Sequence, residues 1–97
     1  MLFRSVIFAE RIRNEVGKNP SLQIQRAYYL ALSRPPQALE LEKSLAFLEH
    51  QTTYHREHNQ KLLRQGIDPA DILAPEKAAL VDLCHSLFNV NEFVYVN

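Results

Sequence analysis

Apolar side chains recur along this chain at three- and four-residue intervals, interrupted by glycine and proline, and that pattern predicts helices joined by short turns. The first stretch runs from Leu2 to Val16 and stops at Gly17, a natural C-terminal cap. Its two halves differ. Leu2, Phe3, Val6, Ile7 and Phe8 surround most of the helix circumference, whereas beyond Glu10 only Ile12 and Val16 are large and apolar. A helix that is apolar nearly all round needs cover on several sides, and in so small a chain part of that cover is expected from another polypeptide or from a longer protein.

Asn19-Pro20 opens a second helix over residues 20–33, with Asn19 as N-cap and Pro20 where its missing N–H costs nothing. Ile24, Ala27, Tyr28, Ala31 and Leu32 give the cleanest amphipathic stripe, and Arg34-Pro35-Pro36 ends it, because a residue before proline is pushed out of the helical region. A third helix over 36–65 carries a narrow seam of Ala38, Leu41, Leu45 and Leu48, expected to pack on the second. Beyond Leu48 that seam fades. Residues 49–61 contain no aliphatic side chain and no breaker, so an unbroken helix of about 45 Å is expected to project or break.

Asp68-Pro69 predicts one capped turn, and Pro75 opens a last helix over 75–90 with Leu80, Val81, Cys84, Leu87 and Phe88 at core spacing. Asn89 and Asn91 are expected to stop it. Phe93 and Tyr95 would then fold back near Tyr28 and Leu32, since a tail this apolar loses roughly 1.5–3 kcal/mol for each large side chain left in water. The architecture predicted is all-α, a small four-helix bundle with a packed C-terminal tail, in one domain spanning residues 1–97.

Composition narrows the function classes. Eleven basic and eleven acidic side chains cancel in 97 residues, which argues against nucleic acid as a partner. No run is long enough to cross a bilayer, so no membrane span is expected. Arg4 interrupts the apolar start, and Glu10, Arg11 and Arg13 stand where a signal peptide would place small residues. The single Cys84 excludes an internal disulfide and reads as a small buried hydrophobe.

The segment Asp82 to Val96, with Asn91-Glu92-Phe93 and a closing Tyr95-Val96, resembles the C-terminal end of an uncharacterised domain of planctomycete proteins that often also carry cytochrome-c-type domains. A second block agrees: Gln23 to Pro36, followed by Glu40 to Leu48, is similar to the helix, Arg-Pro-Pro turn and Leu-rich helix that precede that end. The order fits across roughly residues 5–97 and corresponds to the last part of the family's domain. The resemblance implies the C-terminal module of a longer exported protein, or a stand-alone relative. It carries over no catalytic residue and no haem motif.

The candidate chemistry is sparse. Val81-Asp82-Leu83-Cys84-His85 is half of a haem-attachment signature with Val81 in place of the first cysteine, so no cofactor is expected. His55 and His58 have a spacing that could share a metal ion if a third ligand such as Glu57 or a partner residue converged, but there is no His-Glu-x-x-His order, no cysteine nearby and no buried pocket implied; with His50 and Tyr54 they read as a solvated face. Glu40, Glu42 and Glu49 lack the desolvation that acid–base catalysis needs and read as surface charges. Gly17 and Gly66, the only glycines, form no phosphate loop.

Two functions remain. The first is a non-catalytic interaction domain that self-associates or binds another polypeptide through Leu2, Phe3, Val6, Ile7 and Phe8. The second is the wall or lid of a larger extracytoplasmic enzyme or redox protein, with Arg34, Tyr29 and His85 facing a substrate and the catalytic groups on other sequence.

Overall fold

A computed structural model of the chain describes the backbone of residues 2–96 and the side chains of residues 4–89. Among the described residues it is all-α: helices α1 (Leu2–Val16), α2 (Pro20–Leu32), α3 (Ala38–Arg64) and α4 (Pro75–Val96), with a single 3-10 turn over Pro69–Asp71. The helix starts follow from local chemistry. Asn19 accepts the Leu22 N–H at 3.2 Å to cap α2, and Asp68 accepts the Ala70 N–H at 2.9 Å to start the 3-10 turn. Gly17, at φ 77°, donates its N–H to the Arg13 carbonyl at 2.9 Å and closes α1 as expected. The buried Gln23 then donates Nε2 to the Gly17 carbonyl at 2.7 Å, tying the first turn of α2 to the end of α1.

Helix α4 is the centre. Ala78, Ala79, Leu80, Val81, Leu83, Cys84, Leu87 and Phe88 are all buried, which at about 100° per residue covers most of the circumference. Three neighbours cover it: α1, α2 and α3 each touch α4. Their contributions include Ala9 and Ile12, then Ile24, Ala27, Tyr28 and Ala31, and finally Leu48. The small side chains let the helices approach closely while the branched ones fill the gaps.

Three expectations are corrected. Helix α4 does not stop at Asn89 or Asn91 but continues to Val96. An asparagine inside a helix costs only about 0.5–0.7 kcal/mol relative to alanine, less than is needed to end a helix that is still forming its backbone bonds. The side chains of Phe93 and Tyr95, and with them the expected clasp against Tyr28 and Leu32, lie outside the described residues.

The second concerns α3, expected to project or break: it does not break, and its last turns, exposed apart from half-buried Asn59 and Leu62, extend past the apolar core. Its 27 residues give about 40 Å of helix, close to the longest dimension of the fold, 44 Å. Third, its apolar seam is rotated from the one expected. Ser44 and Leu48 are buried with Leu41 and Phe47 against the core, while Leu45 is 36% exposed and Ala38 is exposed. The rotation follows from α3 packing chiefly on α4 and less on α2. Ser44 meets α2 through a buried pair of hydroxyls, Tyr28 Oη and Ser44 Oγ, 3.4 Å apart.

The turn between α2 and α3 is fixed electrostatically. Ser33 takes a left-handed conformation, φ 59°, and donates its N–H to Tyr29. Arg34 then grips Glu40 with two nitrogens at 2.7 and 2.9 Å, while Glu40 Oε1 also accepts the Gln37 N–H at 2.9 Å at the start of α3. The Arg34 guanidinium, then the Gln37 N–H, hold the Glu40 carboxyl at about 2, below its ordinary 4.5. A depressed carboxyl favours the fold where it is ionised, so this clip is fully present above about pH 4.5 and is lost as pH falls toward 2.

Truncating the central helix is expected to be costly. Leu80→Ala should lower the unfolding free energy by about 2–5 kcal/mol in urea denaturation, whereas Leu39→Ala, at an exposed position, should change it by less than about 0.5 kcal/mol.

Candidate functional site

The start of α1 was expected to be the partner-binding surface, and its described residues divide into two roles. Val6 and Phe8 turn inward, and Phe8 packs on Phe88 of α4 with ring centroids 4.7 Å apart. Ile7 turns outward and is 54% exposed. The side chains of Leu2 and Phe3 lie outside the described residues. Beside Ile7 runs a shallow groove of about 410 Å³, floored by Phe8, Leu30, Ala31 and Phe88 and bordered by Arg4 and Arg11.

The border is built with care for its charges. Arg4 lies over the Phe88 ring at 4.3 Å to the centroid, so its guanidinium caps one wall of the groove by cation–π attraction. Arg11 donates Nε to Glu15 Oε2 at 2.9 Å, one helical turn on, and Arg26 of α2 donates Nε to the other oxygen, Oε1, at 2.6 Å. The two guanidinium groups, Arg11 first, hold the Glu15 carboxyl below its ordinary range. Arg26 also lies 5.8 Å from the ring of Tyr29, which is exposed.

On α3, the segment without aliphatic side chains docks by polar chemistry. Asp82, on α4 among buried apolar neighbours, accepts on one oxygen, Oδ2, from Gln51 Nε2 at 2.8 Å and pairs on the same oxygen with His55 Nε2 at 2.7 Å. Asn59 donates Nδ2 to the Leu73 carbonyl at 2.8 Å and ties the loop before α4 to the same helix. Gln51, His55 and Asn59 recur every fourth residue, so they form one polar stripe where a bundle usually has leucines.

Of the two candidate metal ligands, then, His55 is engaged with Asp82, while exposed His58 stacks on Tyr54 at 5.8 Å with planes 6° apart. Among the described residues no three His, Cys, Asp or Glu side chains gather as a metal site would require. Cys84 is fully buried, and burial pushes its thiol up to about 12, so it stays protonated at neutral pH. Neither Glu42 nor Glu49 is buried, and Glu40 belongs to the Arg34 clip.

The residues of the enzyme reading are not assembled. Arg34 is occupied by Glu40, Tyr29 stands exposed on α2, and His85 is half-buried on α4. None of the three lines either the groove or a second cleft, of about 740 Å³, lined by α1, α2, α3 and the start of α4. That cleft carries Arg13, Lys18 and Arg56 together with Glu49 and Glu76, and its mixed signs select no one ligand charge.

The sequence pattern pointed to α1 but missed the partners that complete the groove, Leu30, Ala31 and Phe88, which reach it only through the helix crossing. It also missed Asp82 as the partner of His55; an acidic residue inside the most apolar helix was the available signal. Comparison of the chain with models of known protein families, with curated proteins and with solved structures gave no match.

The seam is open to a direct measurement. Asp82→Ala leaves Gln51 and His55 without their partner and should cost about 1–3 kcal/mol. A double-mutant cycle with His55→Ala, read by thermal unfolding, should return a coupling of at least about 0.5 kcal/mol; strict additivity would show the pair to be energetically idle.

Proposed function

We propose that this chain is a non-catalytic helical interaction domain that engages a polypeptide surface through the start of α1. The observation that carries this reading is Ile7, 54% exposed beside a groove whose floor is aromatic and aliphatic. A single exposed isoleucine is ordinary, but one that continues into an apolar groove offers a seat for another chain. The likeness of the C-terminal segment to the planctomycete domain supports a place within larger exported proteins, where such a module joins one part of an assembly to another. Arg34, Tyr29 and His85 do not converge, which leaves the enzyme-wall reading without a supporting observation.

Replacing Ile7 by aspartate tests the reading. At an exposed site the substitution should cost less than about 0.5 kcal/mol, so the fold is retained. The parent chain should either self-associate in sedimentation at high concentration or enhance the fluorescence of a hydrophobic dye, and Ile7→Asp should remove that behaviour with unchanged helicity. A parent chain that stays monomeric and binds no dye would refute the proposal.

A further inference from the structure

The geometry points to a second binding site, in the cleft between α3 and the turn from α1 to α2, for a short peptide whose two ends are free and charged. Around α4, helix α2 packs on both α1 and α3, whereas α1 and α3 build no such interface among the described residues. The gap opens into the cleft of about 740 Å³, lined by α3 on one side, by Arg13, Lys18 and Pro20 on the other, and by Ala74 and Glu76 at the start of α4. It shares no lining residue with the Ile7 groove.

Its charges are of both signs, and none is paired. Arg13, Lys18 and Arg56 line the cleft with Glu49 and Glu76, yet among the described residues none of the five charged groups joins an ion pair, with one another or with any other residue. Charges close by do find partners: Glu10 holds Lys77 at 2.6 Å, and Glu15 holds Arg11 and Arg26. Inside the cleft, opposite charges are kept apart. A ligand of one sign meets attraction from some of them and repulsion from the rest, whereas one that carries both signs on a body long enough to separate them complements both.

Spacing sets the length of that body. Glu49 and Arg56 stand seven residues apart on α3, two turns along one face, or about 10.5 Å at 1.5 Å per residue. An extended chain covers about 3.3–3.6 Å per residue, so three residues reach from one to the other. Between them lie Thr52 and Thr53. Their hydroxyls donate one turn back, Thr52 to the Leu48 carbonyl at 2.7 Å and Thr53 to the Glu49 carbonyl at 3.2 Å, which leaves each only lone pairs to offer, and these suit the N–H groups of a peptide backbone. At the Glu49 end, Leu45 and Pro20, both exposed, form an apolar wall with Leu48. The ligand so described is a tripeptide with its ammonium at Glu49, an apolar first side chain against Leu45 and Pro20, and its carboxylate at Arg56.

The test uses the full chain and the peptide Leu-Ala-Ala in three forms: both ends free, N-acetylated, and C-amidated. Amide NMR shifts of the isotope-labelled chain report each affinity. The free peptide should bind at least about threefold tighter than either blocked form, the size of effect that an exposed charge pair exerts, and its shifts should centre on Lys18, Thr52 and Thr53. Glu49→Gln should weaken the free and amidated peptides and leave the acetylated one unchanged. Arg56→Gln should weaken the free and acetylated peptides and leave the amidated one unchanged. Both positions are exposed, so the fold should persist, with helicity as the check.

Three forms that bind alike, or substitutions that weaken all three equally, overturn the inference, as does a free peptide that shifts no cleft residue at millimolar concentration. The site does not depend on the start of α1, so Ile7→Asp should leave peptide binding unchanged. Loss of binding in that variant would place the peptide in the α1 groove, and the inference would fall while the interaction reading stood.

Discussion

Burial of α4 from nearly every side is the constraint on which the rest of this fold depends. Eight of the eleven residues from Ala78 to Phe88 are withdrawn from water, and no single neighbouring helix could achieve that. Three helices are therefore obliged to surround it. The short connections follow: each helix must end near the place where the next can begin to cover another side of α4, which is why Gly17, Ser33 and the Asp68 turn sit where they do. The small residues Ala9, Ala27, Ala31 and Ala79 serve the same end, since they allow close approach to a helix that cannot move aside.

The exceptions to apolar packing are placed where this arrangement runs short of hydrophobic material. Helix α3 is longer than the core and carries no aliphatic residue over 49–61, so its contact with α4 there is made by Gln51 and His55 on Asp82, with Asn59 holding the loop. Such contacts contribute little net free energy, about 0.5–1.5 kcal/mol each, but they are directional. They set the rotation of α3 about its axis, and that rotation turns Leu48 and Ser44 inward and leaves Leu45 partly exposed. The Arg34–Glu40 clip at the other end fixes where α3 starts.

Much of this was legible in the residues, for reasons that differ by element. Helix starts depend on capping chemistry within four residues, so Asn19-Pro20, Asp68-Pro69 and Pro75 announced them. The apolar rows of α2 and α4 announced their burial. What the chain could not announce were outcomes decided by crossing geometry: the rotation of α3, the meeting of His55 with Asp82, and the assembly of Leu30, Ala31 and Phe88 beside Ile7. The asparagines at 89 and 91 misled because a residue that tolerates a helix end does not impose one. The site was half legible, since the start of α1 was singled out but the division between inward Phe8 and outward Ile7 depends on where α2 and α4 pass.

The central claim is that covering α4 leaves Ile7, at the start of α1, among the exposed apolar side chains, where the proposed partner would meet it. Five isoleucines sample this directly, because Ile12 and Ile24 are fully buried while Ile7 and Ile67 are exposed and Ile72 is half-buried. Methyl-labelled isoleucine in the dilute chain, titrated with a soluble paramagnetic agent, reads the exposure of each by NMR line broadening. The Ile7 methyl should broaden together with that of Ile67 while Ile12 and Ile24 remain sharp. An Ile7 methyl as well shielded as Ile24 would contradict the claim, for it would mean that the chain already covers the surface on which its interaction is proposed to depend.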